Sequence, residues 1–195
     1  MDGPAETTTQ RRRFEAAEQL ERSETALTIE RTKLLGQLRD DYHDHKKNID
    51  DAVLAFGRLS KALYEASGSL VVHPTNNGPK FETKIDASKS KGITNMQIFC
   101  FDMTLMELRA ARGKGPGFLV HDSHLFDGVD ERQVAKALEI GGEYAKRLGF
   151  QYIVTMNSDA LPRTQFTPGF AVDEHVLNVR LTDSESGGLF GLRFG

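Results

Sequence analysis

The feature that most constrains the fold is an uninterrupted helical pattern in the first third of the chain. Between residues 10 and 66 there is no proline, and Gly36 and Gly57 are the only glycines. That stretch holds 11 Lys+Arg and 11 Asp+Glu residues, a balance typical of a solvated helix surface. Within it, mostly apolar residues recur in alternating steps of three and four and so form a heptad seam: Leu35, Leu38, Tyr42, His45, Ile49, Ala52, Phe56, Leu59 and Leu63. Because a heptad seam packs against another helix, the pattern predicts a coiled-coil helix.

The same pattern divides the chain into segments. Residues 1–10 contain Gly, Pro and three consecutive Thr, which predicts a disordered start, and residues 11–66 form the coiled-coil helix. Residues 67–195 are expected to form a compact α/β part. Within the seam, His45 is interpreted either as a tolerated polar residue or as a pH-sensitive or register-setting one.

Composition excludes several classes of protein. Hydrophobic residues make up 38% of the 195 residues, and no apolar run approaches the roughly 18 residues of a membrane span. Cys100 is the single cysteine, which rules out an internal disulfide and fits a cytoplasmic location. Its place in an apolar helix face predicts a core residue and not a nucleophile. The net charge of -3 gives no overall attraction to nucleic acid.

The α/β part begins with turn chemistry between short apolar segments. Residues 69–73 (SLVVH) and 80–85 (KFETKI) flank the sequence PTNNGP, which predicts a β-hairpin. The following helical segment, 93–112, is apolar nearly all round and is expected to be buried. A second hairpin is predicted from VLNVRL and LFGLRF at residues 176–181 and 189–194.

Between these hairpins the order is strand, helix, strand. The apolar segment 118–120 precedes a helix that opens at Asp130 and ends before Gly149, and QYIVTM at 151–156 follows as a second strand. This spacing predicts a parallel βαβ unit. Because ligands bind at the carboxyl ends of parallel strands, we expect a site that combines residues 121–124 with residues 157–159.

The residues at this edge permit more than one chemistry. A carboxylate after an apolar strand, here Asp122, is typical both of a Walker B motif that holds Mg²⁺ and of a simple loop or helix cap. The Ser/Gly turn at 88–92 precedes a helix N-terminus, which favours phosphate binding. The sequence Asp122-Ser123-His124 also resembles the D-x-H motif that comes first in metallophosphoesterase sites, and His121 and Asp127 would be further ligands there. A Ser hydrolase is not expected, since the G-x-S-x-G motif is absent.

Four segments together are similar to a known family. SKSKGITNMQIFCFDMTLMEL, GFLVHDSHLFDGVDERQ, QYIVTMNSD and GGLFGLRF resemble the C-terminal half of an SMC/RecN-like ABC-type ATPase, and in particular the YydD-like bacterial proteins linked to three-component ABC-type systems with defence or DNA-related roles. The resemblance implies an α/β fold: the C-terminal lobe of an ABC/SMC-type ATPase head, with a parallel βαβ core and β-hairpins, preceded by a long coiled-coil helix.

The resemblance also implies residue roles. Ser90 and Gly92 match the signature segment that contacts the γ-phosphate on an opposing head, and Asp122 matches the Walker B carboxylate that holds Mg²⁺. Residues from Asp127 to Asp130 match the D-loop at the dimer interface. Asn157 stands where such ATPases have the switch histidine. Ser123 replaces the Glu that polarises the attacking water, which makes His124 the candidate for that role.

The cofactors ATP and Mg²⁺ depend on a partner. The 195 residues contain no G-x-x-x-x-G-K-S/T motif, so the P-loop is expected from an N-terminal half or a second ATPase head. The chain is therefore expected to be a fragment or a split subunit, with a coiled-coil partner helix, DNA as an expected ligand, and no membrane association. The alternatives are a non-catalytic coiled-coil interaction protein with a degenerate ATPase-like module, and a metallophosphoesterase.

Overall fold

The chain folds into two compact units. The computed structural model describes residues 3–85, 91–178, 180–182, 184 and 187–188. Unit 1 combines the described residues up to 85 with Cys100–Leu108, and unit 2 combines residues 91–99 with the described residues from 109 onward. Among the described helices there is none with both the length and the hydropathy of a membrane span.

Unit 1 begins with two helices where the sequence predicts one. Helix α1 spans Gly3–Asp44, and helix α2 spans Lys46–Tyr64. The first helix thus covers most of the predicted disordered start, and the predicted continuous helix is interrupted at His45. There the ring nitrogen Nδ1 lies 2.9 Å from the carbonyl oxygen of Asp41, the same oxygen that accepts the backbone N–H of His45. A side chain that competes for a helix carbonyl is a recognised cause of a local break.

The second half of the predicted seam is buried inside unit 1. Phe56, Leu59 and Leu63 are nearly inaccessible to solvent, whereas Leu35 and Leu38 on α1 are only half-buried. Helix α2 contacts strand β1 (Ser69–Thr75), so this stretch of the seam is covered by the chain itself and needs no partner helix there. Helix α1 also lies near the hairpin, and Leu20, Leu27 and Leu34 along it are exposed.

The first predicted hairpin is confirmed. Strand β1 pairs antiparallel with strand β2 (Gly78–Lys84), with Thr75 opposite Gly78. Gly78 has a φ of +104°, a backbone conformation that favours glycine and closes the two-residue turn. The second predicted hairpin is not seen in the same way. The described residues of its first strand, 176–178 and 180–181, are not in a strand, and its second strand, 189–194, lies outside the described residues.

Helix α3 (Lys91–Ala110) is less buried than the sequence predicts. Its buried apolar residues fall on one side, but Ile98 and Leu105 are almost half exposed. The expectation of a helix buried all round is therefore wrong for this second stripe. The buried apolar residues of the helix are Met96, Phe99, Cys100, Met103 and Met106. Burial raises the pKa of the Cys100 thiol to about 12, as befits a core cysteine.

Unit 2 contains the predicted βαβ unit. Strand β3 (Phe118–His121), helix α4 (Glu131–Leu148) and strand β4 (Gln151–Val154) follow in order, and β3 pairs parallel with β4. The side chain of Asp130 accepts a hydrogen bond from the backbone N–H of Arg132 at the start of α4, and Gly149 ends that helix with a φ of +72°. Both helix ends lie where the capping signals predict them.

A buried carboxylate holds the irregular segment after β4. Glu139 on α4 is nearly inaccessible, and its two oxygens accept hydrogen bonds from the backbone N–H and the hydroxyl of Thr167. Lys136 Nζ lies 3.6 Å from the same carboxylate. Since buried carboxylates are costly unless they are hydrogen-bonded, this contact fixes the path of the chain around Thr167.

We expect Glu139→Ala to lower the free energy of unfolding by about 2 kcal/mol, because two hydrogen bonds to a charged acceptor are lost. Urea unfolding followed by circular dichroism measures the change. The matched control is Glu143→Ala, an exposed acid on the same helix, which is expected to shift the free energy of unfolding by less than about 0.5 kcal/mol. An equal loss in both variants would contradict the anchoring role of Glu139.

Candidate functional site

The carboxyl ends of β3 and β4 lie next to each other, as the sequence predicts. His121 is opposite Val154 in the parallel register, and the backbone N–H of Thr155 donates to the carbonyl oxygen of His121 at 3.0 Å. This bond extends the strand pairing one residue beyond β4. The chain segments that leave the two strands therefore start from neighbouring points, within unit 2.

Asp122 leaves β3 with an extended backbone and an exposed side chain. Its Oδ1 accepts the backbone N–H of His124 at 3.0 Å and so caps a short 3-10 helix, Ser123–Phe126. Ser123, the first residue of that helix, is half-buried. One of the two interpretations of Asp122, the cap, is thus visible in the geometry, and the same carboxylate stays open to solvent at the strand end.

Lys91, His124 and Asp127 form a charged cluster beside this turn. The carboxylate of Asp127 lies 3.2 Å from Nδ1 of His124 and 3.4 Å from Nζ of Lys91. All three side chains are at least 45% exposed. An imidazole oriented by a carboxylate is an arrangement that suits proton transfer at the other ring nitrogen.

Helix α3 and the turn after the 3-10 helix approach each other unusually closely. A Cβ atom added to Gly92 would overlap the carbonyl oxygen of Gly128. Nearby, the amide Nδ2 of Asn95 donates to the carbonyl oxygens of His124 at 3.0 Å and of Asp127 at 3.1 Å. The start of α3 is therefore fixed to the turn by backbone proximity and by one bridging side chain.

The structure brings together some of the predicted site residues. Gly92 lies against the turn that follows Asp127, and Asp122 and His124 share a hydrogen bond. Asp130 instead caps α4 and pairs with Arg132 Nε at 3.0 Å, while Asn157 is exposed and its carbonyl oxygen accepts the N–H of Ala160. Ser90 lies outside the described residues.

Sequence reasoning missed two residues of this site. Lys91 follows the predicted signature serine directly, and Asn95 lies one helical turn after Gly92. A charge run such as SKSKG resembles a solvated surface, which hid Lys91. An Asn inside a helix has no local signature for a bond to a turn about 30 residues away, which hid Asn95.

Hydrogen bonds shift the titration of both loop carboxylates. The pKa of Asp127 is lowered because His124 and then Lys91 donate to its carboxylate. The pKa of Asp130 is lowered because the side chain and backbone of Arg132 donate to it. Both groups are therefore ionised throughout the physiological range.

Metal binding by protein side chains alone finds little support in the described residues. Within the part of the chain that the structure describes, no three His, Cys, Asp or Glu side chains are grouped to hold a metal ion. Mg²⁺ commonly keeps several waters and takes one or two carboxylates plus substrate phosphates, and an exposed Asp122 supplies one such carboxylate. The geometry gives no support to a metallophosphoesterase, which needs several protein ligands at once.

A comparison with protein families matches residues 59–194 to the family described as "Uncharacterised protein conserved in bacteria (DUF2326)". The chain belongs to this family. Among curated proteins, no relative of this DUF2326 chain is found.

Three SMC heads are among the solved structures to which the DUF2326 chain is similar. The SmcHead bound to the C-winged helix domain of ScpA has 16% identity and a TM-score of 0.45, over 60% of this chain and 40% of that chain. An Smc head with an extended coiled coil bound to the C-terminal domain of ScpA, from Pyrococcus furiosus, has 16% identity and a TM-score of 0.44, over 82% and 49%. An Smc head with a coiled coil and joint from Pyrococcus yayanosii has 15% identity and a TM-score of 0.44, over 80% of this chain and 31% of that chain.

The DUF2326 chain thus spans less than half of the length of each of these three chains. Identity and TM-score are both low, and the likeness carries no functional conclusion.

We expect Lys91→Met and His124→Gln each to raise the pKa of Asp127, because each removes a donor to its carboxylate. Carboxyl carbon shifts in an NMR titration measure the change. Because its pKa is lowered from the ordinary value of 3.8, ionised Asp127 stabilises the folded state at pH values above 3.8. This contribution is lost as the pH falls through the lowered pKa.

The matched control for this titration is Arg132→Met. It is expected to raise the pKa of Asp130 and to leave that of Asp127 unchanged. An unchanged Asp127 titration in both Lys91→Met and His124→Gln would show that the cluster does not form in solution.

Proposed function

We propose that this chain is the C-terminal half of an SMC/RecN-like ATPase head. In this proposal it supplies the signature segment at Ser90 and Gly92, the Walker B carboxylate Asp122, the D-loop from Asp127 to Asp130, and Asn157 as the switch residue. The observation that carries the proposal is the contact of Gly92 with the carbonyl of Gly128. It joins the start of α3 to the turn after a parallel strand that ends in a carboxylate.

The other half of the head would supply the P-loop. No G-x-x-x-x-G-K-S/T motif occurs in these 195 residues, and the nucleotide phosphates need such a cradle. One face of the β3–β4 sheet supports the need for further protein, since Phe118, Val120 and Ile153 on that face are between 37% and 50% exposed. In solution, exposed apolar side chains grouped on one face mark an interaction site.

Asp122 and His124 would have distinct tasks in the assembled head. Bound Mg²⁺ would neutralise phosphate charge, and Asp122 would hold that ion through water. Ser123 offers no carboxylate to polarise the attacking water. His124 is the proposed substitute: with Nδ1 donating to Asp127, its Nε2 is the acceptor that takes a proton from water.

The main partners in this proposal are proteins. A P-loop half or a second head would complete the nucleotide site, and a coiled-coil partner helix would cover Leu20, Leu27 and Leu34, which are exposed on α1. DNA contact would require basic surfaces formed by the assembled heads, because the net charge of this chain is -3. Membership of a three-component ABC-type system is part of the same proposal.

A second function is favoured by two particular observations. Ser123 in the position of the water-polarising Glu and the missing P-loop motif both fit a coiled-coil interaction protein whose α/β part no longer uses nucleotide. In that case the exposed residues of α1 and of the β3–β4 sheet would serve docking alone. Nucleotide binding separates the two proposals.

The decisive experiment measures labelled ATP binding, with and without Mg²⁺, to this chain alone and mixed with the product of the gene directly upstream. We expect binding only in the mixture. In the mixture, Asp122→Asn is expected to weaken Mg²⁺-dependent ATP binding by about 10- to 100-fold, the loss typical of removing a group that holds a metal through its outer shell.

The matched control is Glu174→Gln, an exposed acid elsewhere in unit 2, which is expected to leave ATP affinity unchanged. Equal affinity of Asp122→Asn and the unmodified chain would remove the Walker B assignment. No binding in any mixture, together with a stable complex through α1, would favour the interaction protein.

A further inference from the structure

A buried imidazole stands directly before the proposed Walker B carboxylate. His121 is the last residue of β3 and is 6% exposed. Its Nδ1 lies 3.0 Å from the hydroxyl oxygen of Tyr152 on β4. An apolar side chain would fill a core position at lower desolvation cost, so the polar pair calls for an explanation beyond packing.

The surroundings of His121 fix its ring from several sides. Its ring lies edge-on to the ring of Tyr152 at a centroid distance of 5.4 Å and tilted against Phe99 of α3 at 5.9 Å. The ring of Tyr152 in turn occupies the space that a Cβ atom at Gly141 on α4 would need. One hydrogen-bonded pair therefore connects β3 to β4, and its tyrosine packs against α4.

Strand β3 needs such a tie because its own ladder is short. It has four residues, and within the described residues it pairs with β4 alone. A two-stranded sheet of this length is marginal by backbone pairing. The side-chain bond acts on the final residue of the strand, so it limits how the backbone can turn into Asp122.

The geometry points to His121 and Tyr152 as positioning residues that set the direction in which Asp122 leaves β3. With the His121 ring held, and its carbonyl oxygen held by the N–H of Thr155, the extended backbone of Asp122 brings Oδ1 to the N–H of His124. The pair thus fixes the carboxylate before any ion arrives. This inference rests on the proposed role of Asp122 in holding Mg²⁺.

The test uses Tyr152→Phe, which keeps the ring against Gly141 and removes only the hydroxyl. The first readout is water exchange of the His124 amide, measured by NMR on this chain alone, since that amide is protected by Asp122. We expect its exchange to accelerate about tenfold, while the Gly149 amide at the end of α4 is unchanged. The matched control, Tyr144→Phe, removes a hydroxyl from a tyrosine whose ring lies under Arg147, and is expected to change neither amide.

A second pair of variants separates positioning from simple stability. Asparagine can place a hydrogen-bonding atom near the position of Nδ1, whereas leucine cannot. We expect His121→Asn to retain the slow exchange of the His124 amide and His121→Leu to lose it. Faster exchange of every amide by one common factor would indicate loss of stability alone and overturn the inference.

The second readout is Mg²⁺-dependent ATP binding in the reconstituted mixture. Tyr152→Phe is expected to weaken binding with Mg²⁺ several-fold and to leave binding in EDTA unchanged. An unchanged His124 amide in Tyr152→Phe overturns the positioning role whatever the nucleotide does. If the unmodified mixture binds no Mg²⁺-ATP, the proposed function fails, and the amide exchange still decides whether the pair positions Asp122.

Discussion

The approach of Gly92 to the carbonyl oxygen of Gly128 is the constraint on which the site depends. The two backbones come so close that a single methyl group at residue 92 would overlap the turn. Asn95 adds the directional part by donating to two carbonyl oxygens of the same turn. Without this contact the start of α3 and the segment after β3 would have independent positions, and Lys91 would not be held beside Asp127.

Short strands explain why so many side chains in unit 2 bond to backbone. Two paired strands of four residues bury little surface and make few ladder bonds. The turn after β3 is held by Asp122 and Asn95, and the segment after β4 by Glu139 through Thr167. Each of these bonds acts where regular structure ends, which is also where functional groups of an α/β sheet are placed.

Periodicity predicted which residues are apolar together, but not what covers them. The seam through Phe56, Leu59 and Leu63 suits both a coiled coil and a helix that packs on a hairpin, since both need one apolar stripe. The interruption at His45 depends on one side chain reaching the carbonyl of Asp41, a detail that heptad spacing does not contain. Local signals performed better: the turn before Gly78 and the two caps of α4 lie where the sequence predicts them.

The site was predictable to the extent that it follows strand ends. Parallel pairing placed residues 121–124 beside the exit of β4, as expected. The bond between Tyr152 and His121 was not predictable, because it joins residues 31 positions apart and no sequence signal pairs an imidazole with a tyrosine on the neighbouring strand. Asn95 was missed for the same reason: its partners are set by tertiary packing and not by neighbours in sequence.

Capping and ion binding are compatible roles for Asp122, and their combination gives the site its order. Oδ1 accepts the N–H of His124, which fixes the carboxylate and starts the short helix that carries His124. The same helix presents the His124 ring to Asp127. One side chain therefore sets the relative positions of the proposed Walker B carboxylate and the proposed base. Because a carboxylate has two oxygens and several lone pairs, the capping bond does not prevent it from holding water bound to an ion.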